Sequence, residues 1–130
     1  MIAVDSSVWI NHLRDKREAK DLMLDAYLRK GRPVAITDVV YMELLQGVRP
    51  GADAASLRLT IDQTRILRLR TLDDFEFAAQ LFKQVRASGH TVRKSIGCLI
   101  AAVCIREDVP LLHDDIDFDR IADVSDLRVA

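Results

Sequence analysis

The chain has 130 residues, with 19 Lys and Arg against 20 Asp and Glu, a formal net charge of −1, and 49% hydrophobic residues. That length suits one domain with a real core. The near-neutral charge excludes general polyanion affinity, so a nucleic-acid ligand would need a local basic patch or a bridging metal. No apolar run approaches a membrane span, and no basic segment with an apolar core precedes a cleavage site, so neither an anchor nor a secretory leader is expected.

Ile2-Ala3-Val4 reads as a buried strand that ends at Asp5-Ser6-Ser7. Val8, Trp9, Ile10 and Leu13 predict a helix over 7–13. Leu22, Ala26 and Tyr27 predict a second over 18–30, stopped by Gly31. Arg32-Pro33 leads into a strand over 34–36. Thr37 or Asp38 then caps a helix to Val48, whose end is marked by Gly47 and Pro50-Gly51. A helix is expected over 52–64 and a strand over 66–69, the latter apolar between Arg65 and Arg70. Thr71 caps a long helix over 72–87, which Ser88-Gly89 ends. A helix over 94–107 precedes a strand over 109–112, and 127–129 forms a last edge strand. Strands alternating with helices imply an α/β fold with a mainly parallel sheet covered on both sides.

Cys98 and Cys104 fall on one predicted helix and point about 120° apart, so they neither clamp one zinc nor bridge. Buried free thiols are expected, in keeping with a reducing cytoplasm.

The acids carry the chemistry. Asp5 follows the first strand, and His113-Asp114-Asp115-Ile116-Asp117-Phe118 follows the strand over 109–112. Carboxylates past the C-terminal ends of parallel strands lie where such sheets place ligands. Crowded carboxylates resist joint ionisation, and a divalent metal relieves them. Each acid also has a local reading: Asp5 can cap the helix near Ser7, and Asp117 can cap the turn over 118–122. Glu43 lies at the edge of the apolar stripe formed by Val39, Val40, Leu44 and Val48. Gly97 is anomalous. It shares the inward stripe of Ile100, Ala101 and Cys104, where Gly costs roughly 0.5–1 kcal/mol relative to Ala. Close helix packing, or a helix that starts after Gly97, are the structural alternatives.

Four segments together resemble a known family. They are Ile2-Ala3-Val4-Asp5-Ser6-Ser7, the run from Thr37 through Glu43 to Gly47, Ser95-Ile96-Gly97-Cys98-Leu99-Ile100-Ala101-Ala102, and Leu111-Leu112 through Phe118. In this order and spacing the chain resembles PIN-domain ribonucleases of the VapC type, the toxins of type II toxin–antitoxin pairs. The resemblance covers the chain nearly end to end. It implies a single PIN domain over 1–130, a PIN-like three-layer α/β/α fold, and Mg²⁺- or Mn²⁺-dependent cleavage of RNA phosphodiesters. Asp5 matches the first catalytic acid, Glu43 the second and Asp115 that of the D-x-D-F segment. Asp117 matches the secondary acid, and Ser7 the small polar residue that supports the site. The metal would sit on Asp5 and Asp115.

Gly97 departs from the pattern, because the family usually has Asp there. The resemblance therefore implies a disabled site, through either a deliberate substitution or natural degeneration. Arg86, Arg93 and Lys94 flank that helix and are the expected RNA contacts; Arg14, Lys16 and Arg17 form a second basic group. His113 is expected to pack in its turn and receives no chemical role. Partners implied are a VapB-type antitoxin, a tRNA or rRNA substrate and a second copy in a homodimer, through the apolar faces of the helices over 18–30 and 38–48. The alternative is a binding protein that captures antitoxin or RNA without cutting. A phosphatase of the haloacid dehalogenase type ranks below both, because its second Asp would stand at Ser7.

Overall fold

The computed structural model describes residues 1–130. Four strands, β1 (Ile2–Val4), β2 (Val34–Thr37), β3 (Arg65–Leu67) and β4 (Leu111–Leu112), form one all-parallel sheet in the order β3-β2-β1-β4. Seven helices surround it: α1 (Ser6–Leu13), α2 (Ala19–Arg29), α3 (Asp38–Gly47), α4 (Ala52–Ile61), α5 (Leu72–Ala87), α6 (Ser95–Arg106) and α7 (Ile116–Asp123). All residues of β1, β2 and β4 are buried, as expected for short apolar strands covered on both faces. The α/β architecture read from the sequence is the one observed.

The caps follow the chemistry of the sequence. Asp5, Thr37 and Thr71 cap α1, α3 and α5 by accepting the amides of Ser7, Val40 and Asp73. Five expectations need correction. The helix expected over 52–64 ends at Ile61, and the strand expected over 109–112 is only Leu111–Leu112. The expected strand over 66–69 shifts to Arg65–Leu67, because β2 pairs Ala35, Ile36 and Thr37 with Arg65, Ile66 and Leu67. The expected edge strand over 127–129 is a single bridge, Val129 to Leu111. The cap of α7 is Asp115, which accepts the Asp117 amide at 3.0 Å; Asp117 lies inside the first turn.

The strand order sets the site. From β1 the chain moves outward through β2 to β3, then crosses to β4 on the other side of β1. The loops leaving β1 and β4 therefore diverge at one edge, the usual place for a crevice in a parallel sheet. Asp5 follows β1 directly, its amide donating to the Leu112 carbonyl at 2.9 Å.

Candidate functional site

Asp5, Glu43 and Asp115 arrive from three elements: the end of β1, the middle of α3 and the start of α7. Asp5 is 5% exposed. Burial pushes its carboxyl above the ordinary range and the charge of Asp115 pushes the same way, while hydrogen bonds from Ser7 and Ser6 oppose them. Glu43, half-buried, is also raised, by burial first and then by the charge of Asp5; the Ser6 hydroxyl and Lys94 oppose the rise. The acids thus sense one another, as crowded carboxylates at one sheet edge should.

Two adjacent serines hold the pair. Ser7 donates from Oγ to Asp5 Oδ2 at 2.7 Å, and the same oxygen accepts the Asp114 amide at 3.2 Å. Ser6 Oγ donates to Glu43 Oε1 at 3.3 Å. Ser7, expected from the sequence to support the site, makes its contact to Asp5 here. Ser6 was not singled out; its signal was its place beside Asp5 in the first turn of a helix. The cap and site readings of Asp5 do not compete, since Oδ2 also accepts the Ser7 amide at 3.3 Å.

Asp115 and Asp117 face a cation instead. Arg93 Nη2 lies 2.6 Å from Asp115 Oδ1 and Nε 3.4 Å from Asp117 Oδ1, and the Arg93 amide donates to Asp117 Oδ2 at 3.0 Å. Both carboxylates raise the guanidinium pKa, that of Asp115 most. Asp117 is 4% exposed, so its charge is balanced where water is scarce. Arg93, expected as an RNA contact, is thus engaged with the acids. Lys94 is exposed and close enough to Glu43 to lower its pKa. Arg86 is exposed on α5, its guanidinium 6.0 Å from the Phe82 ring centre, and makes no contact with the acids.

Gly97 occupies the first turn of α6 with ordinary helical backbone. A Cβ built there would meet only Phe118, at 3.8 and 3.9 Å, which is normal van der Waals contact. Close packing therefore does not require a glycine, and α6 begins before it. Cys98 and Cys104 are buried and free, with thiols pushed by burial up to about 11 and about 12.

His113 is 3% exposed and packs against Phe118 at 5.1 Å between ring centres. Its Nδ1 accepts the Asp115 amide at 3.1 Å. That bond fixes the backbone of a site acid, a role the sequence offered no pattern to reveal.

The donor set is all oxygen, which suits a hard cation. No three His, Cys, Asp or Glu side chains converge closely enough to enclose an ion. Oxygen donors of this kind are those a hard ion such as Mg²⁺ takes, and such an ion dehydrates reluctantly and is commonly held by one or two carboxylates.

The PIN domain family matches residues 2–124. Ribonuclease VapC11 of Mycobacterium tuberculosis and VapC ribonuclease Mb1587 of Mycobacterium bovis are each 30% identical over 131 residues, spanning 100% of this chain and 98% of theirs. Similar in fold is VapBC2 from Rickettsia felis, crystallised on a DNA fragment from the promoter. Its TM-score is 0.76 at 18% identity, covering 100% of this chain and 98% of that one. DNA-bound VapBC from Salmonella typhimurium has a TM-score of 0.76 at 17% identity, with 100% and 98% coverage.

Proposed function

The chain belongs to the PIN-domain family, as a relative of the VapC ribonucleases, and from that premise we propose that it is the ribonuclease toxin of a toxin–antitoxin pair. Its catalytic acids are Asp5, Glu43 and Asp115, with Asp117 in support and Mg²⁺ or Mn²⁺ as cofactor. The observation that carries this reading is the placement of Asp5, Glu43 and Asp115, from three separate elements, at one sheet edge, with Ser7 held on Asp5 and Ser6 on Glu43.

Asp5 and Asp115 would hold the ion, with Glu43 beside them. When bound, such an ion lowers the pKa of a water and offsets charge on a scissile phosphate. The chain's own residues do the rest. Ser7 and Ser6 fix the directions in which Asp5 and Glu43 present their oxygens. Glu43, with its raised pKa, is suited to take up a proton at its carboxylate. Lys94, Arg86 and Arg93 supply positive charge for an RNA backbone. Gly97 removes a carboxylate from this arrangement, so the form with this sequence is weakened in metal affinity and turnover.

A VapB-type antitoxin is the protein partner, in line with the complexes in which similar folds were crystallised. Exposed Leu22 and Met23 on α2 and Met42 and Leu45 on α3 support a homodimer through those helices. No helix is long and apolar enough to cross a membrane, and free buried thiols suit a cytoplasmic location. The substrate is tRNA or rRNA, recognised by shape.

The test is cleavage of a mixed RNA pool with Mg²⁺ or Mn²⁺ by this chain beside its Gly97→Asp form. Cutting by the Asp form alone identifies a disabled ribonuclease. If neither cuts, the second reading holds: a protein that captures antitoxin or RNA without cleavage. Gly97 and the engaged guanidinium of Arg93 are the observations that favour that reading.

A further inference from the structure

Arg93 reaches across from the α5–α6 connection to two acids at the start of α7, and no motif absorbs this contact. Its backbone is pinned by the amide bond to buried Asp117, while its side chain is 65% exposed. Only the side chain is free to move. The 2.6 Å contact to Asp115 Oδ1 is a short, charge-assisted hydrogen bond, on the same oxygen that caps α7.

We infer that Arg93 is a built-in counter-cation that competes with a divalent metal for Asp115, so that loading of the site requires the guanidinium to swing away. The inference rests on the metal-site reading above. A divalent ion on Asp115 would bring two positive charges beside the guanidinium, and like charges at that separation repel. With Gly97 in place of an acid, the cluster has less negative charge to hold both cations. The displaced guanidinium points toward solvent, where a phosphate can accept it, which reconciles its contact with the acids with a role in RNA binding.

The experiment is Mn²⁺ titration followed by the paramagnetic resonance signal of the free ion, on the full chain and on its Gly97→Asp form. Each is compared with its Arg93→Gln and Arg128→Gln variants. Arg128 pairs with Asp108 at 3.0 Å, its own carbonyl bonded to Leu111 where β4 begins, and it makes no contact with the site acids. It makes the same change in net charge away from the site. Thermal melts check that each variant folds. Arg93→Gln should bind Mn²⁺ about tenfold tighter, the scale on which neighbouring groups tune metal sites, and Arg128→Gln should leave affinity little changed. Equal affinity for Arg93→Gln and its parent, or equal tightening by Arg128→Gln, overturns the role of Arg93 and leaves the metal site standing. Absence of saturable binding in every form overturns both.

Discussion

Ser7 and Asp5 share a 2.7 Å hydrogen bond whose donor oxygen also receives the Asp114 amide. One small side chain thereby joins the end of β1 to the loop after β4. Ser7→Ala would leave a buried carboxylate short of a donor and turn the exposed Asp114 amide over to water. The expected loss is about 1–3 kcal/mol, read from urea unfolding midpoints at constant slope. The Asp5 carboxyl should move further up, because a bond that lowers its pKa is gone.

Gly97→Ala should stabilise the fold. The backbone is helical, a Cβ meets only Phe118 at 3.8 and 3.9 Å, and Ala in this first turn recovers part of the roughly 0.5–1 kcal/mol that glycine costs in a helix interior. Gly97→Asp should gain less, since its charge adds to that of the neighbouring acids. Chemical denaturation of the three forms, without divalent ions, distinguishes the two effects.

Asp5→Asn should also stabilise the protein near neutral pH. The folded pKa of Asp5 lies above its unfolded value, so between the two the folded chain holds more protons. Stability from this group therefore falls as pH rises through that window, and the cost is fully present above it. Asn retains an oxygen for Ser7 and caps as well as Asp. A higher unfolding temperature than the parent's is expected by calorimetry at about pH 7. The difference should shrink as the pH approaches the ordinary carboxyl range. A smaller gain at neutral pH than in acid would contradict this account.

His113 acts in the opposite sense. Its Nδ1 accepts the Asp115 amide, so the proton sits on Nε2, which faces Asp119 Oδ1 at 3.4 Å without a hydrogen bond. A second proton must displace the Asp115 amide. Burial lowers the folded pKa below the ordinary value of about 6.5. The unfolded chain then binds more protons in acid, and stability is lost as pH falls through about 6.5, by at most about 1.4 kcal/mol per pH unit. His113→Asn keeps an acceptor and cannot titrate, so its stability profile should be flatter than the parent's across that range.

The strands β1 and β2, most helix bounds and the caps Asp5, Thr37 and Thr71 were legible because each is fixed by local chemistry: apolar runs, turn residues and short polar side chains. The acids at the sheet edge were legible for the same reason, since strand ends are local features. The β3 shift was not, because register is set by the partner strand. Asp115 and Asp117 are two residues apart with the same local propensity, yet Asp115 caps α7 while Asp117 is buried and bonded to the Arg93 amide. The contacts of Arg93 join positions 22 and 24 residues apart in sequence, and no periodicity reports them. The role of His113 was hidden likewise, because its partner is a backbone amide.

Hydrogen exchange would see the site as two regions of unequal persistence. β1 is bonded on both sides: the Ile2 amide donates to the Pro33 carbonyl at 3.3 Å toward β2, and the Ala3 and Asp5 amides donate to the Pro110 and Leu112 carbonyls, both at 2.9 Å, toward β4. Those protons exchange only when the centre of the sheet unzips, so Asp5 is retained for as long as the chain is native. The Arg93 amide is held by a single carboxylate on an exposed connection, and it should exchange through brief local openings. Sub-global fluctuation therefore releases the guanidinium side of the crevice while the first acid stays in register.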